Sequence, residues 1–529
     1  MLPALWHRYI FLFGIVGLAA GMMFGTVPTS IPQIILGANW LLELDYNRKW
    51  QQLKSSHHGV FWILFSLFLL HVMGMLYTQN IPKGLDDLRN KIPLLILPLM
   101  LFSTKPLSTK ELKLLFGTFF VSVFVSSICC FFVYAGFTKK IIVDVRKASI
   151  FMSHIRFSLF ISFAIIGLIY ATLTEKNKLL KIICVLVTLW LLFFMYKLEM
   201  ATGFLLLIVV GLLLVVLYVF NWISKAASLI LLVVLSIIGI FIVNKAMLSL
   251  SMFEKTNNNP ANVILEKTKN GNFYYNDTAS SFSENGNLII ININDLELQK
   301  EWNKKSKIPY NGKDNKGNEL CYTLKRYIAS KGFTKDSLGF SKLNIDDIKR
   351  IENGITNYKY NVNSGLSSKW REFVWEYTKY KKGENPSGHS LIMRLEFWKN
   401  ASYIIYENPL FGVGTGDIQD SFDAMYTFTN SKLDMIWRLR CHNQYLAITV
   451  AFGFFGLILF LFYLIYPAII LRKKLHYLYW PFYLIALLSF VTEDTLETQS
   501  GVTFFIFFQT LFLWLASAQY QNNINKKEL

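Results

Sequence analysis

Long apolar stretches separated by short polar loops make up most of the chain. A helix needs about 17 to 25 mainly apolar residues to cross a bilayer. With shorter and interrupted stretches included, the pattern predicts twelve spans and therefore an all-α polytopic membrane protein. The second and fourth stretches are short, so we expect partial or tilted crossings there. The spans are Tyr9–Phe24, Ile31–Leu42, Val60–Tyr77, Ile92–Phe102, Leu112–Gly136, Phe157–Thr172, Leu179–Tyr196, Phe204–Trp222, Ala227–Met247, Asn443–Tyr466, Tyr477–Val491 and Gly501–Tyr520.

One long polar segment interrupts this pattern between spans nine and ten. It divides the chain into a membrane domain with spans one to nine (1–247), a large loop domain (248–441) and a second membrane domain with spans ten to twelve (442–529). Within the loop domain, the run Asn287–Ile293 has the composition of a strand, and Trp370–Tyr380 has helical spacing. The loop domain is therefore expected to be a small folded insertion.

Composition and charge agree with a membrane setting and indicate an anionic partner. The chain is 53% hydrophobic, its mean hydropathy is +0.38, and its formal net charge is +19. Such a charge suits lipid head groups or a lipid pyrophosphate, whereas the apolar composition argues against nucleic acid. Short loops on the side of the N-terminus contain 16 lysines and arginines, against nine in the opposite loops. Both termini are therefore predicted to be cytoplasmic and the loop domain to be exterior.

The segment before span ten has the residues best suited to chemistry. Apolar residues after Arg394 recur at helical spacing, and Asn408-Pro409 ends the predicted helix. Gly412, Gly414 and Gly416 follow at every second position. Glycines permit positive φ and let backbone N–H groups approach an anion, so this loop is predicted to contact a negatively charged ligand.

His442 lies immediately before the predicted tenth span. The positive end of a helix dipole favours an anionic ligand and disfavours imidazolium, so a neutral imidazole is expected there. A histidine with a pKa near neutrality is a suitable general base, although a helix-capping histidine is the alternative interpretation. Cys321 and Cys441 could form a disulfide in an oxidising compartment, but free thiols are the simpler expectation.

Four motifs in this segment resemble bacterial O-antigen ligases and Wzy-type O-antigen polymerases. They are Arg394-x-x-x-Trp398, Asn-Pro-Leu-Phe-Gly-Val-Gly-Thr-Gly at 408–416, His442-Asn443-x-Tyr-Leu446, and Ala-Phe-Gly-Phe-Phe-Gly-Leu at 451–457. The resemblance is specific over about residues 394–461. It implies a metal-independent, cofactor-free membrane glycosyltransferase of the GT-C type. Such an enzyme moves a glycan from undecaprenyl pyrophosphate to an acceptor hydroxyl at the periplasmic face of the bacterial inner membrane.

The resemblance also implies roles for individual residues. His442 would deprotonate the acceptor hydroxyl, and Arg394 would bind the donor pyrophosphate, for which a bidentate guanidinium is suited. A surface ion pair is the alternative for Arg394. Asp494 matches a late acidic position that could orient His442 or Arg394, although Glu493 and Glu497 compete for this role. One base and a single displacement imply inversion at the anomeric carbon.

One departure from the family pattern affects the donor site. Many members have a Ser-Arg segment near the exterior end of the seventh and eighth spans, whereas this chain has Met200–Gly203. Lys197 or Arg156 could supply the missing charge, with a lysine giving a point charge in place of a fork. For Arg156, interfacial snorkelling is the alternative.

Three alternatives to the ligase stay open at this stage. A polymerase would differ only in its acceptor, another growing glycan instead of the lipid A core. A lipid-linked glycan transporter would predict related halves and ionisable groups at mid-membrane, neither of which is evident in the sequence. A non-catalytic assembly subunit would tolerate the loss of His442.

Overall fold

The computed structural model describes residues 3–138, 145–220, 244, 262–277, 282–359 and 365–525. This part of the chain is mostly helical. Its helices are α1 (Ala4–Gly21), α2 (Thr26–Leu42), α3 (Tyr46–Lys54), α4 (Val60–Gly74), α5 (Ile81–Phe102), α6 (Thr109–Tyr134), α7 (His154–Thr174), α8 (Lys178–Lys197), α9 (Ala201–Phe220), α10 (Asp295–Lys305), α11 (Leu320–Ser330), α12 (Ser337–Ser341), α13 (Ile345–Glu352), α14 (Gly365–Lys381), α15 (Ser390–Glu407), α16 (Ile418–Phe428), α17 (Gln444–Ile470), α18 (Tyr479–Thr492) and α19 (Gln499–Asn525).

The helices confirm an all-α polytopic membrane protein. Eleven of the twelve predicted spans coincide with helices, and the ninth, Ala227–Met247, lies outside the described residues apart from position 244. Among the described residues, six helical stretches are long and apolar enough to cross a membrane, namely α4 with the turn before it (His57–Gly74), α6, α7, α8, α17 and α19, and α1, α9 and α18 hold shorter apolar stretches. The number of crossings stays a prediction.

The short fourth stretch is the second half of a longer helix. Helix α5 is capped by Asn80, whose side chain accepts a hydrogen bond from the Lys83 amide, and it runs for 22 residues from Ile81. Its first half contains Asp87 and Lys91, which break the apolar run in the sequence although both side chains are buried. The helix is therefore longer than hydropathy alone indicates, because these charges are paired inside the protein.

The chain forms two compact units. The first, the helix unit, holds Met1–Trp222, Glu396–Ser431 and Arg438–Leu529, and the second, the loop unit, holds Ile223–Leu395 and Lys432–Trp437. This division differs from the predicted loop domain of 248–441. Most of the motif region after Glu396 packs with the membrane helices, because apolar side chains of α15 and α16, such as Phe397 and Phe422, are buried in that unit.

Aromatic packing holds the helix unit together around α19. Phe504 and Phe508 of α19 contact Phe163 of α7 and Phe482 of α18, with ring centroids between 4.8 and 6.1 Å apart. Tyr170 near the end of α7 lies 6.4 Å from Tyr477 just before α18. Helices α7 and α18 are therefore antiparallel, and the start of α7 lies at the same end of the unit as the end of α18.

The loop unit has its own hydrophobic core. Helices α10 to α13 bury Trp302, Leu324, Tyr327 and Phe340 among others. The predicted strand Asn287–Ile293 is confirmed only in part, because strand β2 (Asn287–Leu288) pairs with β1 (Ser283–Glu284) and then ends. Beyond β2, Ile293 forms isolated bridges to Tyr275 and Lys335. The predicted helix at Trp370–Tyr380 is confirmed within α14.

Candidate active site

The glycine-rich loop 412–416 packs against the protein's own backbone. Its five N–H groups donate, in order, to Asn408 O, Val450 O, Ala451 O, Gly74 O and the Thr78 hydroxyl. The predicted use of the N–H groups of Gly412, Gly414 and Gly416 for an anion therefore differs from the structure, because these donors are already taken. The glycines instead permit close approach, since a Cβ on Gly416 would lie 2.3 Å from Asn80 O.

The partner of this loop is a break within α17. Gly453 has φ 64° and ψ −165°, which interrupts the helix, and the Phe454 and Phe455 amides donate to Pro409 O and Leu410 O. The freed backbone groups are thus satisfied by the loop, as buried polar groups in a membrane protein must be. The Asn-Pro-Leu-Phe-Gly and Phe-Gly motifs are complementary halves of one packing interaction.

We expect Gly453→Ala to lower the unfolding temperature of the purified protein clearly. A Cβ there would lie 2.2 Å from the Leu410 backbone, and the backbone conformation itself is unfavourable for alanine. Together these costs amount to about 3 kcal/mol or more. Gly117→Ala is the matched control, since it lies within α6 and a Cβ there meets no atom within 4 Å. Equal unfolding temperatures for the two variants in detergent would contradict this assignment.

His442 lies two residues before α17 in a strained backbone conformation. Its φ is 46°, which is uncommon for a residue other than glycine. The following residue, Asn443, caps the helix by accepting a hydrogen bond from the Leu446 amide, and it donates to Val491 O. The imidazole lies 5.7 Å from the Phe397 ring, centroid to centroid. Helix capping therefore belongs to Asn443, and the strained His442 is available for another role.

Two carboxylates lie beside the imidazole. His442 Nδ1 is 3.5 Å from Asp494 Oδ1 and 3.6 Å from Glu493 Oε2, and both carboxylates are almost fully buried. Burial alone lowers the pKa of His442, but Asp494 and Glu493 together raise it to about 9. The neutral imidazole expected from the helix dipole is therefore not the form that this site favours at neutral pH, because two adjacent negative charges outweigh the dipole.

The same three residues could also hold a metal ion. His442, Glu493 and Asp494 each offer one ligand atom, and these atoms lie within 4.8 Å of one another. Metal binding requires a neutral imidazole, so the proton on His442 competes with the ion at neutral pH. A pKa near 9 weakens such binding at pH 7 by about 100-fold relative to a histidine that is already neutral.

A buried ionic cluster anchors the turn that follows Asp494. Lys91 Nζ, fully buried, lies 2.8 Å from Glu497 Oε2 and 3.6 Å from Asp87, and it donates to Leu496 O. Gln444 clamps the same turn, donating to Glu497 Oε1 and accepting from the Leu496 amide. Burial alone raises the pKa of Glu497, but Lys91 and Arg440 hold it well below its usual range. The turn is therefore held by the paired charges of Lys91 and Arg440 with Glu497 and by the hydrogen bonds of Gln444.

Arg156 and Lys197 lie toward the same end of the helix unit as His442. Arg156 is in the first turn of α7, and its Nε is buried without a hydrogen-bond partner in the described part of the chain. Lys197 is exposed at the end of α8, with its amine 5.7 Å from the Phe193 ring. The carbonyl of Gly203 accepts a hydrogen bond from Ser162 of α7. The roles of Arg156 and Lys197 in donor binding stay predictions.

Arg394 is on α15 within the loop unit, and the predicted helix from Arg394 is confirmed. The Arg394 guanidinium donates to Ser390 O at 3.1 Å. The role of Arg394 in donor binding stays a prediction.

Cys321 and Cys441 are both free thiols in the structure. Burial raises the pKa of the Cys441 thiol, which keeps this group neutral.

Sequence reasoning missed Lys91, Arg440 and Gln444. A usable signal existed for Lys91, because a lone lysine four residues after Asp87 at the start of an apolar run predicts a paired charge on one helix face. Nothing in the sequence links Lys91 or Asp87 to Glu497, which lies about 400 positions later in the chain. Only the packing of α5 against the turn after α18 brings these groups together.

Comparison with known proteins gave a match in the region of the four motifs. A search of curated proteins gave no match. Residues 341–461, which include Arg394 and His442, match the family model described as O-antigen ligase. The match confirms the resemblance predicted from the four motifs. The part of this multi-pass helical chain that includes the histidine beside two carboxylates is therefore similar to the O-antigen ligase family.

Proposed function

We propose that the protein transfers an O-antigen-like glycan from undecaprenyl pyrophosphate to a hydroxyl of the lipid A core, at the periplasmic face of the bacterial inner membrane. The family match supports glycan transfer in general, and it covers His442. The observation that carries the proposal is the position of His442 beside Asp494 and Glu493, directly before a membrane helix. A positioned imidazole with acidic partners is suited to move a proton.

The proposed reaction is a single displacement. The acceptor oxygen bonds to the anomeric carbon as its proton passes to His442, and the bond from that carbon to the pyrophosphate oxygen breaks. Asp494 and Glu493 stabilise the imidazolium that results. The leaving group is already anionic, so basic side chains that bind the pyrophosphate complete the requirement. Inversion at the anomeric carbon and a GT-C-like arrangement of twelve spans belong to the same proposal.

The proposed chemistry needs no metal or cofactor. At neutral pH the proton held by His442 occupies the position that an ion would need, which favours proton chemistry in this cluster. A transporter is less consistent with the cluster of Lys91, Asp87 and Glu497. Together with Arg440, these charges balance one another at a turn after α18 and thereby hold the turn in place.

The test is a transfer assay with purified full-length protein in nanodiscs. The donor is undecaprenyl-pyrophosphate-linked glycan, and the acceptor is lipid A core. We expect glycosylated lipid A core and free undecaprenyl pyrophosphate, with equal rates in magnesium and in EDTA. Longer lipid-linked glycan in place of the lipid A product would identify a polymerase. Activity lost in EDTA and restored by a divalent ion would overturn metal independence.

We expect Arg394→Lys to lower kcat/KM for the donor by roughly 10- to 100-fold, the value of one or two charge-assisted hydrogen bonds. A lysine keeps the charge but loses the bidentate fork that matches two phosphate oxygens. Arg350→Lys in the same loop unit is the control, since that guanidinium donates to Tyr358 O on the surface. Unchanged donor kinetics in Arg394→Lys would remove Arg394 from the donor site.

A further inference from the structure

Two basic side chains of the helix unit lie close together in the segment before α17. Arg440 and His442 are partly exposed, with 27% and 29% of each side chain accessible, while Cys441 between them and Asn443 after them are buried. Burial of Cys441 and Asn443 leaves Arg440 and His442 as the accessible side chains of this segment.

A single acidic turn contacts both of them. The Glu497 amide donates to Asp494 O at 3.0 Å, which closes the turn. Asp494 at its start lies 3.5 Å from His442 Nδ1, and Glu497 at its end has Oε2 3.5 Å from Arg440 Nη1. The turn thus fixes the distance between the guanidinium and the imidazole.

Lys91 and Arg440 share the carboxylate of Glu497. The Glu497 carboxylate lies closer to Lys91 Nζ, at 2.8 Å, than to Arg440. Lys91 also lies 3.6 Å from Asp87, so Lys91 and Arg440 together balance the two carboxylates, and Arg440 is the most exposed of these four side chains. Glu497, Asp494 and Lys91 are at most 8% exposed, so Arg440 and His442 are the side chains of this group that solvent reaches. A partly exposed guanidinium on a fixed support suits a phosphate oxyanion.

We infer that Arg440 binds a phosphate of the donor pyrophosphate beside His442, with Glu497 and Lys91 as the residues that position it. This inference rests on the proposed function and adds a residue that the sequence analysis did not identify. Arg440 is a binding residue in this scheme, because it contacts the leaving group. Lys91 acts through Glu497.

The experiment measures ligand binding by full-length protein in nanodiscs, without turnover. The probes are undecaprenyl pyrophosphate, undecaprenyl monophosphate and inorganic pyrophosphate. Arg440→Gln should weaken binding of undecaprenyl pyrophosphate by about 10- to 100-fold, with Arg440→Lys intermediate. The matched control Arg438→Gln, two residues away, should bind within about twofold of wild type. Circular dichroism and unfolding temperature confirm that each variant is folded.

The outcomes separate this inference from the proposed function. Arg440-dependent binding of undecaprenyl pyrophosphate without any transfer by wild type would overturn the function and support the site. Transfer by wild type with unchanged binding in folded Arg440→Gln would overturn the role of Arg440 alone. An equal loss in Arg438→Gln would show only a general effect of charge and would also overturn it. Loss for the lipid probes and for inorganic pyrophosphate alike would place Arg440 at the phosphate, whichever molecule supplies it.

Discussion

Replacing His442 by alanine is expected to lower glycan transfer by roughly 100-fold or more, the usual effect of losing a general base. The imidazole lies beside Asp494 and Glu493, and the strained backbone conformation of His442 is not required for helix capping, because Asn443 caps α17. Donor binding should remain within a few-fold of wild type, since the side chain acts on the acceptor proton. The transfer assay and the binding assay described above measure these two quantities separately.

Two variants control for the backbone at His442. His442→Asn also removes the imidazole but suits positive φ, so it should be as inactive as His442→Ala and more stable. His58→Ala is the matched histidine, since His58 is exposed, has φ 48° and lies just before another membrane helix, α4. It should transfer at the wild-type rate. Substantial transfer by His442→Asn would show that the backbone conformation, and not the imidazole, matters.

Transfer by wild type is expected to rise about tenfold per pH unit from pH 6 to pH 8 and to level off near pH 9. The base must be neutral to accept the acceptor proton, and Asp494 and Glu493 raise the pKa of His442 to about 9. The neutral fraction is about 1% at pH 7, so the rate at pH 9 should exceed that at pH 7 by roughly 50-fold. Initial rates at fixed saturating donor and acceptor measure this profile.

Substituting the carboxylates should move the profile in a known direction. Asp494→Asn removes one charge that raises the pKa of His442, so the midpoint should fall toward 6.5 while the maximal rate also falls. A rate that is constant below pH 9 and decreases above it would instead show that His442 acts in its protonated form. That outcome would overturn the general-base role while leaving His442 essential.

The same ionisation should appear in stability, independently of activity. Since the folded pKa of His442 is raised above its unfolded value near 6.5, the folded state binds the proton more tightly. The stabilisation is fully present below about pH 6.5 and is lost as pH rises toward 9. Unfolding of wild type across this window, compared with His442→Asn, measures the contribution. An identical pH dependence in both proteins would contradict the raised pKa.

Local patterns in the sequence determined most of the helices and two of the important side chains. Apolar stretches long enough to cross a bilayer located eleven of the described helices, because burial in lipid demands continuous hydrophobicity. The motifs around Arg394 and His442 indicated the family, and Asp494, with Glu493 and Glu497 as competitors, was expected to orient His442 or Arg394. These properties depend on residues close together in the chain, so they can be read without knowledge of the fold.

Only the tertiary structure decided how the remaining residues are used. The glycines of the 412–416 loop read as an anion contact, yet the Gly414 amide donates to Ala451 of the broken helix, about 40 residues later, and the amides of Gly412 and Gly416 donate to Asn408 and Thr78. Glu493, Asp494 and Glu497 were equivalent in the sequence, but the turn assigns the first two to His442 and the third to Lys91 and Arg440. Hydropathy divided α5 at Lys91 because a pattern cannot show that a distant carboxylate neutralises a charge. Pairing between remote groups depends on how helices pack, and that information is absent from any local stretch of the chain.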